Sequence, residues 1–333
     1  MKVFLFWIIV AGLFFAGAMM FMTQMPGQPA LSASGAMTED ETTVADRLTN
    51  HVDSLAREIG ARGPGAPGKY ADAASYIGTM LKRAGLQVRE IPFESKGLQA
   101  RNIEATLQGT RKKDEILLLG ANYDSDLKSP GAEDNASGCA VLLEIARLLG
   151  DSANERTVRF VFFGNGAGDF AGEEKSGSWI YAREAQKRGD KIVTMLNFNC
   201  LGNYKDTPGS QSIPFPMGAA YPGTGNFLLI AGDLSAREIV RNTVGEFRRN
   251  ARFPCHGLAL PGIVPGWSNG DHAGFIRFGY PAIVVTDTGK WRFENAGTLF
   301  DTPDRIVDYP KMARVTVGMA KVVTALAKSS GAL

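Results

Sequence analysis

The stretch EILLLGANYDSDLKSPGAEDNASGCAVLLEIARLLG, residues 115–150, contains an apolar run, two polar loops and a second apolar run. In 115–123 the apolar residues follow one another without alternating with polar ones, which predicts a strand buried on both faces. In 137–150 the apolar residues recur at helical spacing, which predicts a buried helix. A buried strand followed by a helix is typical of an α/β domain with parallel strands.

The same alternation of strands and helices continues along the chain. Further strands are predicted at 102–108, 157–164, 191–199, 226–232 and 281–286, and further helices at 44–60, 69–86, 174–189, 235–250 and 309–329. This order predicts a central sheet, at least partly parallel, with both faces covered by helices. The sequence has no internal repeat and no second composition, so we expect one domain over residues 44–330.

An uncharged apolar segment, VFLFWIIVAGLFFAGAMMFM at residues 3–22, stands near the N-terminus. At about 1.5 Å per helical residue it would span roughly 30 Å, the thickness of the hydrocarbon core of a bilayer. We therefore predict a single-pass transmembrane anchor over residues 1–22. A cleaved signal peptide is the alternative, because Lys2 precedes the apolar segment.

The flanks of this segment predict how the chain is arranged at the membrane. The positive charge of Lys2 is expected to stay in the cytoplasm, which places the domain outside it, in the periplasm or the extracellular space. Residues 23–43 are rich in Pro, Gly, Ser and small polar groups, and this composition predicts a flexible linker.

The composition excludes some functions and restricts others. The formal net charge is only +2, so the charge balance does not indicate a nucleic-acid partner. The chain has three histidines and three cysteines, which provide few nitrogen and sulfur ligands for a zinc site. The odd number of cysteines excludes a fully paired disulfide framework.

Polar clusters follow several of the predicted strands, where function in an α/β sheet is normally found. They are GANYDS at 120–125, PGAEDNASG at 130–138, FFGNGAGDFAGEEKSGS at 162–178, LNFNCLG at 196–202, SNGDHAGF at 268–275 and LFDTPDRIVD at 299–308.

These clusters, with RGPGAPGKYADAASYIGTMLKRAGLQV at 62–88 and FGYPAIVVTDT at 278–288, resemble metallopeptidase family 28 in order and spacing. The family contains co-catalytic zinc aminopeptidases and relatives of glutamate carboxypeptidases and glutaminyl cyclases. The resemblance implies a three-layer α/β sandwich around a mixed, largely parallel sheet. It also implies a site where imidazole and carboxylate groups hold two zinc ions and a carboxylate base activates the bridging water.

The positions that carry the family's metal ligands are mostly changed in this sequence. The first ligand His falls on Asn122, two residues before Asp124, and a carboxamide is a poor zinc ligand. The bridging Asp falls on Asp134, which is unchanged. The Asp that follows the LNxD strand falls on Asn199, and the final ligand His falls on Asp301. Asp124, Asp271 and His272 are expected to line the pocket without binding metal.

The family's adjacent Glu-Glu pair, a base followed by a ligand, is also replaced. An ungapped alignment from Phe163 to 177–178 places Gly166 and Ala167 at these positions. The visible pair Glu173 and Glu174 is the alternative, but it needs a shifted loop.

We therefore predict a membrane-anchored, extracytoplasmic pseudopeptidase with a binding or assembly role and no cofactor. A peptide or a membrane protein is the expected partner, and the Pro- and Gly-rich loop at 205–226 is a candidate contact. The alternative is a working zinc-dependent aminopeptidase or related hydrolase with altered ligands. All four ligand positions, altered or retained, offer oxygen, so a calcium or magnesium site is a further alternative. The simpler interpretation is a pocket whose polar groups hydrogen-bond one another.

The remaining histidines and cysteines have simpler interpretations. Cys255 and His256 with His272 would make a poor metal site, because no closely spaced ligand pair anchors it. A disulfide between Cys200 and Cys255 stays open, and His51 is expected to be a solvated surface group on the first helix of the domain.

Overall fold

The computed structural model describes residues 2–33, 35–95, 97–150, 152–172, 174–263, 269–306, 308–329 and 331. The strands are β1 Val88–Ser95, β2 Leu98–Leu107, β3 Lys112–Asn122, β4 Arg156–Phe163, β5 Lys191–Phe198, β6 Leu228–Asp233, β7 Cys255–Leu260 and β8 Ala282–Thr286. The helices are α1 Lys2–Thr23, α2 Glu39–Val52, α3 Pro67–Arg83, α4 Gly138–Leu149, α5 Gly177–Arg188, α6 Arg237–Asn250, α7 His272–Arg277 and α8 Tyr309–Lys328.

The strands form one mixed sheet in the order β1-β2-β4-β3-β5-β8-β6-β7. β3, β4, β5 and β8 run in one direction, because β3 pairs in parallel with β4 and β5, and β5 with β8. β6 pairs antiparallel with β8, and β7 is parallel to β6. We call the end of the sheet where β3, β4, β5 and β8 finish the upper end; β6 and β7 finish at the opposite, lower end.

The sheet is buried on both faces, which confirms the predicted three-layer α/β architecture. Leu117 and Leu119 pack into the layer that contains α2, α3, α4, α6 and α8. Ile116 and Leu118 point the other way, into the layer formed by α5 and α7. Since both faces of β3 need apolar side chains, its sequence cannot alternate between polar and apolar residues.

Two strands were not predicted from the sequence. β1 is an edge strand whose residues alternate in exposure and include three charged groups, so it has no apolar run. β7 is the opposite edge strand and contains Gly257, where a side chain would have met Met25. The six residues of β7, CHGLAL, include none of the β-branched and aromatic types that indicate a strand.

His51 is buried, with 4% of its surface exposed, so the expectation that it is a solvated surface group is wrong. Its Nδ1 lies 2.7 Å from the Tyr76 hydroxyl, and its Nε2 lies 3.2 Å from the carboxylate of Glu144 on α4. Arg47 and Arg147 also donate to Glu144. His51 is covered because α2 is packed against α4 and α8, which the sequence of α2 alone does not show.

The N-terminal helix α1 is the one helix in the described ranges that is long and apolar enough to cross a membrane. The segment that follows it was predicted as a flexible linker, but residues 24–27 contact α6. Met25 is buried in the core, and Arg248 donates hydrogen bonds to the carbonyl oxygens of Met25, Pro26 and Gly27. All three cysteines lie in the described part of the chain and are free, so there is no disulfide between Cys200 and Cys255.

A buried pair of carboxyl groups, Glu133 and Asp287, joins the loops that follow β3, β5 and β8. Asp287 accepts hydrogen bonds from the backbone N–H groups of Asn203 (2.8 Å) and Gly289 (2.8 Å). Gly202 N–H donates to Glu133 at 3.1 Å. Burial and the neighbouring Asp287 raise the pKa of Glu133 well above its usual range. This favours the protonated form of Glu133, which donates a hydrogen bond to Asp287.

We predict that Glu133→Gln makes the stability of the protein less dependent on pH. The raised pKa stabilises the folded state fully below the usual glutamate pKa of about 4.3, and this stabilisation is lost as pH rises through the folded pKa. A carboxamide keeps a donor toward Asp287 and does not ionise. Between the usual glutamate pKa and the folded pKa of Glu133, the free energy of unfolding of wild type should fall by about 1.4 kcal/mol per pH unit relative to that of the variant.

Chemical unfolding of the full chain in detergent, followed from pH 4 upward, measures this difference. Glu94→Gln is the matched control, because Glu94 is exposed on β1 and its curve should parallel that of wild type. Parallel curves for Glu133→Gln and wild type would show that Glu133 is ionised in the folded protein.

Candidate functional site

The upper end of the sheet brings together the four residues that the resemblance assigns to the family's ligand positions, and we keep the name ligand positions for them. The Asn135 carboxamide donates to Asn122 Oδ1 at 3.1 Å, and Asn199 donates to Asp134 Oδ1 at 3.4 Å. The backbone N–H of Asp134 donates to Asp301 Oδ2 at 3.0 Å. These contacts place Asn122, Asp134, Asn199 and Asp301 around one small region of the fold.

Asn122 ends β3 with its side chain buried and fully hydrogen-bonded. Its oxygen accepts from Asn135, and its Nδ2 donates to the main-chain oxygen of Asp124 at 3.3 Å and to Asp124 Oδ1 at 3.4 Å. A carboxamide held in this way has no imidazole-like lone pair to offer a metal ion.

Asp124 is bound by backbone groups from the loop after β4. Gly166 N–H donates to Oδ1 at 2.8 Å and Ala167 N–H donates to Oδ2 at 3.0 Å. Burial raises the pKa of Asp124, and these two bonds oppose the rise. Gly166 and Ala167 therefore contribute amides rather than side chains. A Cβ at Gly166 would lie 2.4 Å from Asn122 Cβ, so a glutamate does not fit there without moving the end of β3.

Asp301 is fully buried and accepts three backbone hydrogen bonds. Glu133 N–H donates to Oδ1 at 2.7 Å, while Asp134 and Gly297 N–H donate to Oδ2 at 3.0 and 2.9 Å. Burial raises the pKa of Asp301, and all three bonds act against that rise. The carboxylate thus ties the loop before α4 to the loop after β8.

Asp134 and Asn199 are the two ligand-position residues that face the open cleft. Burial, with a further contribution from the negative charge of Asp301, raises the pKa of Asp134 to about 6. The Asn199 carboxamide and the cationic Lys290 both favour the ionised form of Asp134. At neutral pH the cleft therefore presents one carboxylate beside one carboxamide.

This donor set does not fit zinc. Imidazole is absent from the ligand positions, and the oxygens of Asn122 and Asp301 already accept internal hydrogen bonds. Within the described residues, no three His, Cys, Asp or Glu side chains converge as a metal-binding group. The same geometry is a weak cage for calcium or magnesium, because only Asp134 and Asn199 of these positions face the cleft and water would have to supply most of the six or more oxygens that these ions take.

Of the two substitute glutamates, the structure describes Glu174, which is not part of this arrangement. Glu173 lies outside the described residues. Glu174 is exposed and lines a separate surface hollow with Trp179, Arg183 and Arg277.

Asp271 and His272 lie beside the four ligand-position residues. Asp271 is buried behind Asn122, accepts from its backbone N–H and from the Ser178 hydroxyl, and has its pKa raised to about 7 by burial. His272 is buried and lines the cleft.

A cleft of about 540 Å³ extends from the ligand positions down one face of β8, β6 and β7. Its described polar residues include Asp134, Asn199 and His272, and Lys290 and Trp291 stand at its rim. Its floor is apolar and consists of Leu229, Ala231, Leu258, Leu260 and Val284. The sequence did not reveal this floor, because β7 was not recognised as a strand.

The loop at 205–226 packs over β6 and β7, on the face that carries the apolar floor. The Tyr221 hydroxyl donates to Gly257 O at 3.0 Å, and Tyr221 and Phe227 flank His256. Burial and the nearby Arg248 lower the pKa of His256 to about 4, so this imidazole is a packed, neutral ring. Phe215 at the tip of the loop is 87% exposed.

Comparison with known proteins agrees with this architecture. The chain is 29% identical over 286 residues to the uncharacterized protein YfbL of Escherichia coli K12, covering 83% of this chain and 82% of YfbL. It is 28% identical over 280 residues to a probable zinc metalloprotease of Pyrenophora teres f. teres, covering 73% of this chain. The chain spans about half the length of that fungal relative, 53%.

Solved zinc aminopeptidases share the fold at low identity. The aminopeptidase BSAP of Bacillus subtilis superposes with a TM-score of 0.68 at 15% identity, covering 86% of this chain and 96% of BSAP. LapA of Legionella pneumophila superposes with a TM-score of 0.67 at 15% identity, covering 87% of this chain and 74% of LapA. The model of peptidase family M28 matches residues 102–323, well over half of the chain, and the chain therefore belongs to peptidase family M28.

Proposed function

We propose that this chain is a membrane-anchored, extracytoplasmic member of family M28 that lacks peptidase activity and uses its cleft to bind a partner. The proposal rests on the two residues that stand where the family has its ligand histidines. Asn122 and Asp301 are both committed to internal hydrogen bonds, three of which run from the backbone to Asp301.

Peptide hydrolysis in this family needs a metal-bound water and a base that accepts its proton. Gly166 and Ala167 offer no carboxylate at the base position, and loss of a general base alone lowers a rate by about 10²- to 10⁴-fold. Loss of the metal removes the Lewis acid as well. Both losses together support a non-catalytic role.

The cleft is well shaped for binding. Its volume lies in the usual range for ligand sites, and it combines an apolar floor with a few polar groups at one end. A peptide with an apolar side chain over Leu229 and Leu258, and with a hydrogen-bonding group at Asp134 and Asn199, matches this distribution. The uncharged stretch 3–22 of helix α1 supports anchoring, and Lys2 at the first residue of the helix supports a cytoplasmic N-terminus.

A working zinc hydrolase is the second candidate. Two facts favour it: Asp134 keeps the bridging position, and the fungal relatives carry the name probable zinc metalloprotease. In that case zinc would be held with altered ligands.

We predict that the purified full chain contains no stoichiometric zinc and does not hydrolyse aminoacyl substrates when zinc is added. Metal analysis and an aminopeptidase assay measure this, with an active zinc aminopeptidase assayed in parallel as the positive control. Zinc should also leave the thermal midpoint unchanged, whereas a ligand at 100 times its Kd would add about 2.7 kcal/mol to the stability. Two tightly bound zinc ions with turnover would establish the hydrolase instead.

We predict further that Asp301→Ala destabilises the fold by roughly 3–5 kcal/mol, because it leaves three buried N–H groups without an acceptor. Unfolding of the full chain in detergent, with and without a chelator, measures this loss, and the chelator should not change it. Asp304→Ala is the matched control, because Asp304 lies in the same loop as Asp301 but makes only an exposed ion pair, with Arg57 of the N-terminal part of the domain. Wild-type stability of Asp301→Ala would contradict the structural role.

A further inference from the structure

The junction between α1 and the domain is a fixed contact. Three arginines of α6 donate to main-chain oxygens of the N-terminal segment: Arg237 to Phe21 (3.0 Å), Arg241 to Gln24 (2.8 Å) and Arg248 to Gly27 (2.7 Å). The Arg237 guanidinium also lies 4.0 Å from the centroid of the Phe21 ring. We call these three arginines the α6 clamp.

The chain also crosses the outer edge of the sheet at this junction. Met22 packs with the apolar floor that includes Leu258 and Leu260, while Met25 packs on Gly257 and belongs to the core under α6. Because successive residues of β7 point to opposite faces, Met22 and Met25 lie on either side of this edge strand.

The order of the clamp contacts gives the direction in which α1 leaves the domain. The N-terminal segment follows α6 from Arg237 at its first residue to Arg248 near its last. α6 begins directly after β6, whose carboxyl end is at the lower end of the sheet. Going backward from Phe21, α1 therefore extends beyond the lower end, away from Asn122, Asp134, Asn199 and Asp301.

We propose that the α6 clamp seats the domain on the bilayer with the lower end of the sheet against the lipid headgroups and the ligand positions turned toward the aqueous phase. This rests on the proposed anchoring by α1. The surface that meets the bilayer surrounds the exit of α1 and includes Leu234 after β6 and Ile263 after β7, which are 42% and 92% exposed.

Single exposed aliphatic residues are common and mean little alone. These two follow the carboxyl ends of neighbouring strands, at the end of the sheet from which α1 emerges. At the membrane interface their apolar surface would leave water.

The orientation restricts what reaches the cleft. Phe198 of β5 pairs with Val285 of β8, and Val285 pairs with Ile230 of β6, so Asn199 stands level with Leu229 and about 13 Å from the end of β6 at Asp233. Asp134 and Asn199 would then stand about this distance above the headgroups. The partner of the cleft is therefore a soluble protein or the extracytoplasmic part of a membrane protein, and a lipid from the supporting bilayer does not reach the ligand positions.

Site-directed fluorescence quenching of the full chain in lipid nanodiscs tests the orientation. A fluorophore is attached to Leu234→Cys or Ile263→Cys, and the control is Leu127→Cys, since Leu127 is 60% exposed in the loop after β3 at the upper end. The native cysteines are buried. Lipids brominated in the acyl chains should quench the labels at 234 and 263 and leave the label at 127 bright, while aqueous iodide should quench the label at 127.

Tryptophan quenching separates a failed orientation from a failed anchor. The difference in tryptophan quenching by brominated lipid between wild type and Trp7→Phe reports insertion of α1. If Trp7 is quenched but the labels at 234 and 263 are not, or the label at 127 is quenched equally, the orientation is wrong and the anchor stands. If Trp7 is not quenched, the anchor fails and the orientation fails with it.

The clamp has its own matched variants. The triple variant Arg237→Gln, Arg241→Gln and Arg248→Gln removes all three guanidinium contacts to the N-terminal segment and should abolish the lipid quenching at 234. Arg249→Gln should preserve it, because Arg249 is on the same helix and pairs with Glu246. Equal quenching in both variants would show that the clamp does not set the orientation.

Discussion

The buried carboxylate of Asp301 and its three backbone donors are the interaction on which the upper end of the sheet depends. A buried carboxylate is tolerated only when donors or a cation compensate for its lost hydration. At this position the donors are Glu133, Asp134 and Gly297 N–H groups. Asp124 is compensated in the same way by Gly166 and Ala167, and Asp287 by Asn203 and Gly289.

This pattern shows how a zinc-peptidase scaffold would keep its acidic loops folded if no ions were bound, as we propose. In a two-zinc site, metal charge offsets the carboxylates that converge on it. Here backbone amides, the Asn122 and Asn199 carboxamides and a proton on Glu133 perform that role. Since fold does not determine chemistry, membership of family M28 is compatible with a domain whose cleft binds a partner without cleaving it.

The reversal of direction between β8 and β6 gives the sheet two different ends. β3, β5 and β8 deliver the ligand positions to the upper end, while β6 delivers the start of α6 to the lower end. The α6 arginines hold the N-terminal segment against that helix, and Met22 extends the apolar floor beneath the cleft. The anchor and the cleft therefore belong to one rigid arrangement, which links the proposed binding function to the position of the membrane.

The sequence by itself determined the α/β class, six of the eight strands, the apolar N-terminal helix and the residues at the ligand positions. These depend on local runs of apolar residues and on motif spacing, which can be read along one chain. The tertiary structure alone decided what those residues do. The donors to Asp301 include Glu133, which is 168 positions away, and His51 is buried where its ring contacts Tyr76 of α3 and Glu144 of α4. Likewise the segment after α1 has the composition of a linker, and contacts with α6, distant in sequence, hold it in place.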